Sequence, residues 1–216
     1  MAKPRTAVQL VAVLDRELSW RRADLLFVLR MVERTAGIDQ QSAIRAAVPL
    51  LYAHWEGFIK RAAGHYADHL SVQRLYFRDV QVCLAGLKAQ SDIALLPDIK
   101  KRLFAASEAL ERIRKIENER VSIDVGSRID RVGNLNHEML MQIVQFLGLS
   151  AAPYEAYKGL VDDALLYHRN KIAHGEFLDV DAARYKSMHR DVVTLLERFK
   201  DDLENAAVMK SYKRAA

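Results

Sequence analysis

Residues 165–175 read Leu-Leu-Tyr-His-Arg-Asn-Lys-Ile-Ala-His-Gly and bring Arg169, Asn170, Lys171 and His174 within about two helical turns. Arginine offers a planar fork of donors that matches phosphate oxygens and stays charged. Histidine is the side chain suited to moving protons near neutral pH. An amide between them can orient either one. This set suits phosphate chemistry better than it suits a packed core. The competing reading is structural: a helix C-terminus whose Lys171 and His174 complement its dipole, closed by Gly175.

As a bare pattern, Arg-x4-His carries little information. The chain repeats it at Arg184 and His189, and one residue more of spacing adds Arg131 and His137. Context separates the first occurrence. Asn170 follows Arg169 directly, and His174 falls at a helix end marked by Gly175, whereas Arg184 and His189 lie in mid-helix. Residues five apart on a regular helix are about 140° apart. Arg169 and His174 therefore share a face only if the helix ends or distorts near Ala173.

These residues need elements to hold them. At 216 residues, with 50% hydrophobic and 28% charged side chains, the chain can bury a self-sufficient core. One domain over residues 1–216 is expected. The 33 Lys and Arg against 28 Asp and Glu leave a net charge of +5, compatible with a nucleic-acid partner but too small to demand one. Cys83 is the sole cysteine, so no intrachain disulfide or multi-cysteine zinc site can form, which suits a reducing cytoplasm. Asp15 and Glu17 break the N-terminal apolar run before it could serve as a signal peptide. No stretch reaches the roughly 18 apolar residues of a membrane span. A cytoplasmic protein without membrane contact is the expectation.

Apolar residues at i, i+3, i+4, i+7 spacing predict a helix from about Val8 to Arg34. A second, about Gln41 to Leu70, is apolar on nearly every face between Ala43 and Ile59, the mark of a central helix covered by neighbours or by a partner subunit. Pro49 should kink it, and Glu56 inside it needs a cationic or amide partner. Shorter helices are predicted over Ser71–Ala89 and Pro97–Arg120. The second of these has the mixed charge of a solvated face, a basic strip for RNA being the other reading. Residues 121–136 read as a connector, and His137–Leu147 as a short helix ending at Gly148.

The motif then lies on a helix from Tyr154 to Ala173, with Leu160, Val161, Ala164, Leu165, His168 and Ile172 on its core stripe. Asp179 or Asp181 can cap the last helix, Ala182–Met209, which leads into a basic tail, 210–216, expected to fray. There is no alternating strand pattern, phosphate-binding glycine loop or internal repeat. The predicted fold class is all-α, an antiparallel bundle of five to seven helices. His65 and His69, four apart with His54 near the same face, could hold zinc. No third ligand is marked nearby, and packed or surface histidines are the better reading. No metal or cofactor is expected.

The segment Leu166-Tyr-His-Arg-Asn-Lys-Ile-Ala-His-Gly175 resembles the Arg-x4-6-His signature of HEPN domains, whose arginine is usually followed by Asn, His or Asp. The likeness extends to Leu51-Tyr-Ala-His-Trp-Glu-Gly-Phe58, to Asn134-Leu-Asn-His137 and to the helix after Phe177, or roughly Leu14 to Ala207. In these features the chain is similar to bacterial HEPN-like nucleases of the RiboL-PSP-HEPN kind. The resemblance implies an all-α homodimer whose two motif helices meet across a two-fold axis, and metal-independent cleavage of RNA. The expected catalytic set is Arg169, Asn170 and His174, with Glu56, Lys171 and Tyr167 in support; for Glu56 the competing reading is a buried acid paired for structural reasons.

Elementary chemistry agrees with the dimer. Cleavage through the 2′-hydroxyl needs a base for that proton and an acid for the leaving 5′-oxygen. One motif supplies one histidine, and a symmetric pair supplies two. The products would be 2′,3′-cyclic phosphate and 5′-hydroxyl ends. The resemblance further suggests a toxin-type or phage-defence effector with an antitoxin or regulatory partner. In some toxin members a tyrosine two residues after the histidine is adenylylated. Glu176 stands there in this chain, so that route of control is not expected. The alternative is a non-catalytic HEPN module that binds RNA, nucleotide or a partner protein. A purely structural helical dimer is the third reading.

Overall fold

The computed structural model describes residues 3–94, 104–123, 133–177 and 179–214. Its helices in chain order are α1 (Ala7–Arg34), α2 (Gly37–Val72), α3 (Val82–Ala94), α4 (Ala105–Glu117) and α5 (His137–Phe146). A single turn, α6 (Ala152–Glu155), precedes a π-helical stretch, Gly159–Leu166, that runs directly into α7 (Tyr167–Ala173); α8 (Ala182–Met209) follows. Among the described residues the only β-type pairings are two isolated bridges. The fold is all-α.

α1 starts where the Thr6 hydroxyl accepts the Gln9 N–H at 3.2 Å. Its leucines at 10, 14, 18, 25 and 29 form one buried stripe. α2 packs antiparallel against it: Asp24 meets His54, and Glu17, further back on α1, approaches His65, further on along α2. α2 is the central helix its composition predicts. Tyr52, Trp55, Phe58 and Tyr66 are all but inaccessible on it, and α1, α7, α8 and the π-helical stretch pack around it. Its all-round apolarity is therefore covered within one chain. The helix is continuous across Pro49. α8 is capped by Asp181, whose carboxylate accepts the Arg184 N–H at 2.7 Å. Its seam, from Tyr185 through Met188, Val192, Leu195, Leu196 and Phe199 to Leu203, is buried as expected.

Two expectations are corrected. Ser71–Ala89 is not one helix. After Val72 the backbone turns at Arg74 (φ 57°), makes a 3-10 turn at Phe77–Asp79, and becomes helical again only at Val82. The reason is non-local. Phe77 N–H donates to the Glu119 carbonyl at 3.1 Å, Val121 N–H to Leu75 at 2.9 Å, and Gln81 N–H to Tyr212 at 2.9 Å. These bonds replace the i−4 partners a helix would use. For the same reason residues 210–214 of the tail do not fray: Tyr212 is buried and Arg214 N–H donates to the Asp79 carbonyl at 3.0 Å. The expected helix start at Pro97 and most of the 121–136 connector lie outside the described residues.

Candidate functional site

The motif helix does not have one uniform geometry. Over Gly159–Leu166 its hydrogen bonds follow the i→i+5 pattern, ending with Tyr167 N–H to the Asp162 carbonyl. α7 then resumes the α pattern for the seven residues that carry the motif. The π turn changes which side chains line up with α2 and α8, and such turns concentrate at functional sites. Asp162 has a second task, accepting the His137 N–H at 2.8 Å, which ties α5 to this helix.

α7 ends at Ala173, with His174 as its C-cap. His174 is the last residue before Gly175, whose φ of +74° no β-branched or bulky residue adopts without strain. Gly175 N–H donates to the Ile172 carbonyl at 3.0 Å and Glu176 N–H to Lys171 at 2.9 Å, the paired bonds of a Schellman closure. From α2, Arg45 donates to the Glu176 carbonyl at 2.7 Å and pins the turn from outside. His174 itself is exposed and stands on this turn.

Arg169 is half-buried one and a half turns earlier. Its Nη1 donates to the Asn170 side-chain oxygen at 2.8 Å, and its guanidinium lies 5.3 Å from the centre of the Tyr52 ring. Asn170 is thus placed to fix the arginine, and its backbone carbonyl accepts the His174 N–H at 3.0 Å. Tyr52 is 2% exposed, and its hydroxyl accepts the Leu135 N–H at 2.7 Å. Burial, then the Glu56 carboxylate beside it, push the Tyr52 phenol up to about 12. The phenol therefore stays protonated and can donate to Glu56.

Glu56 receives Lys60 at 3.1 Å and the Leu135 N–H at 3.3 Å. It reaches Arg169 through Tyr52 rather than by an ion pair of its own. Tyr167, exposed, and Lys171, half-buried, form a separate pair, with the ammonium 4.9 Å from the ring centre. The hydrogen bond to Tyr167 holds the Lys171 ammonium above its ordinary range, so it stays charged. The arrangement joins Arg169, Asn170, Tyr52 and Glu56 into one network. His174 shares only backbone bonds with it.

Tyr52 and Arg45 are absent from the set read off the sequence. Tyr52 stands one helical turn before Glu56, inside the stretch already singled out, so an i, i+4 reading could have found it. Nothing local marks Arg45. Replacing Tyr52 by Phe keeps the ring under Arg169 but leaves the Leu135 N–H with only its longer bond to Glu56. We expect a loss of about 1–3 kcal/mol in stability, read from urea denaturation.

Most of the competing histidines have other partners. His168 is buried, as its place on the core stripe predicted, and bonds the Ala164 carbonyl. His137 bonds the Tyr154 carbonyl at 3.0 Å. His189 is half-buried against α1, where burial lowers its pKa, while Arg184 is exposed. His54 bonds Asp24 at 2.7 Å and His69 bonds the Pro4 carbonyl at 3.1 Å. Among the described residues, no three His, Cys, Asp or Glu side chains converge as a metal site would require. Among them, too, no helix is long and apolar enough to cross a membrane.

No curated protein and no solved structure matches the chain. A family model does, over residues 10–212, and it is described as HEPN_MAE_28990-like HEPN. The match spans α1 to α8 and includes the Arg169–His174 motif, so the chain is a member of the HEPN superfamily.

Proposed function

We propose that this protein is a metal-independent endoribonuclease that works as a homodimer, with each active site assembled from two copies of Arg169, Asn170 and His174. HEPN membership supports an RNA-related, nuclease-type role. The observation that carries the reading is the division of labour between α7 and the turn that closes it. Arg169 is held by Asn170 and the Tyr52 ring, as a residue that must meet developing charge should be. His174 is exposed on the turn at Gly175, where a bound strand could reach its imidazole.

The 2′-hydroxyl attacks the adjacent phosphorus and gives its proton to one His174. The partner subunit's His174 protonates the 5′-oxygen as its bond to phosphorus breaks. Arg169 stabilises the extra negative charge on the pentacoordinate phosphorus. Tyr52 and Glu56 position Arg169, and Lys171 and Arg45 add positive potential where the strand approaches. The partners are RNA and a second copy of the chain, and the biological role is that of a toxin-type or defence effector under an antitoxin or regulatory protein.

The mechanism depends on one oxygen of the substrate. An RNA whose 2′-hydroxyls are methylated will bind and remain uncut, while the unmodified strand is cleaved. Equal cleavage of both strands would show that the attacking group is water and that the assigned roles are wrong.

A further inference from the structure

The motif helix has a second side. Where it faces α8 rather than α2, a groove of about 450 Å³ runs between the π-helical stretch and α8. That volume lies within the range of small-molecule sites. Leu160 and Met188 give it an apolar floor, and Tyr157, half-buried, offers a ring at one end.

The α8 wall is polar and ordered. Arg184, Ser187 and Asp191 share one face of that helix at i, i+3 and i+7. Arg190 donates to the Asp191 carboxylate at 3.0 Å and Ser187 to its other oxygen at 3.4 Å, and Arg190 also reaches Ser187 at 3.2 Å. A carboxylate has about four acceptor sites, so Asp191 keeps capacity for hydroxyl donors. Arg184 is different. It is exposed, it lines the groove, and its guanidinium has no partner among the described residues. It stands in the first turn of α8, where the helix dipole also favours an anion. From Gly159 onward the facing wall is π-helical, a geometry found mostly as single turns.

We propose that this groove is a subsite for one nucleotide unit: phosphate on Arg184, ribose hydroxyls on Asp191, base against Tyr157, Leu160 and Met188. The choice of a nucleotide over another amphipathic anion rests on the ribonuclease reading. The unit is a nucleotide of the RNA strand beyond the two that flank the cleaved bond, or a free nucleotide. The two sources share this chemistry and are separated by the test.

The test measures binding, independently of cleavage. Fluorescence anisotropy with a labelled single-stranded RNA, in EDTA, compares His174→Ala protein with His174→Ala/Arg184→Ala. Calorimetry with AMP compares wild type with Arg184→Ala. Arg184 is solvent-exposed, so its loss leaves the fold intact. As a second variant, Ala164→Phe fills the groove from the opposite wall. Loss of Arg184 should weaken RNA binding about tenfold and lower the slope of log affinity against log salt by about one, and Ala164→Phe should weaken it as well. AMP binding that depends on Arg184, without any effect on RNA, assigns the groove to the free nucleotide. If neither probe responds to Arg184 or Ala164, the proposal is overturned, and cleavage by wild type would still stand. If wild type does not cut RNA but binds AMP through Arg184, the subsite stands and the ribonuclease reading falls.

Discussion

His174→Ala is expected to lower the single-turnover cleavage rate by about four orders of magnitude, because in a homodimer it removes the base and the acid together; each such role is worth about 10²–10⁴-fold. The fold should not notice. The imidazole is exposed, and the α7 closure is made by the backbone of Lys171, Ile172, Gly175 and Glu176. Exposed substitutions of this kind stay within about 0.5 kcal/mol, so thermal unfolding of the variant should overlay that of wild type.

The same variant tests whether the site is shared. In randomly mixed dimers made from equal amounts of wild type and His174→Ala, only about one quarter carry two imidazoles. Activity near that fraction supports the composite site. Activity near one half would mean that each chain works alone and must find its second proton-transfer group within itself.

The second large effect is at Arg169. Arg169→Ala removes the group assigned to the charged phosphorus, and loss of one such donor lowers the rate by about 10²–10³-fold. The loss should fall on kcat and leave KM nearly unchanged, because the interaction strengthens only in the transition state. Arg169→Lys keeps the charge but has neither the fork that holds Asn170 at 2.8 Å nor the flat cation that lies over Tyr52. It should therefore recover about tenfold at most. Full rescue by lysine would reduce Arg169 to a point charge and remove the reason for the Tyr52 ring beneath it.

How much of this was legible in the sequence follows from where each element gets its hydrogen bonds and its cover. α1, α2 and α8 carry long apolar stripes, so periodicity located them to within a few residues, and Ala182–Met209 to the residue. Glu56 needed a cation, and Lys60 stands at i+4 to supply it. The turn at 73–81 could not be read this way, because its backbone partners come from residues 119–121 and 212–214. The π-helical stretch was equally invisible. No local residue pattern marks its i→i+5 register, and its tie to α5 through Asp162 is a contact made only in the fold.

The site divides along the same line. Arg169, Asn170 and His174 lie within six residues and were visible as a local pattern. Gly175 marked the helix end, and the structure closes α7 there. The residues that set the arginine and the turn in place, Tyr52 and Arg45, come from α2, far away in the chain, and only the fold brings them to the motif.

The central claim is tested most directly by incubating wild type and His174→Ala with total bacterial RNA in EDTA and mapping the fragment ends. Wild type alone is expected to cut, leaving 2′,3′-cyclic phosphate and 5′-hydroxyl ends. RNA left intact by both proteins would contradict it and favour a HEPN module that binds without cutting. Cleavage that appears only when a divalent metal is restored would place the chemistry on other residues.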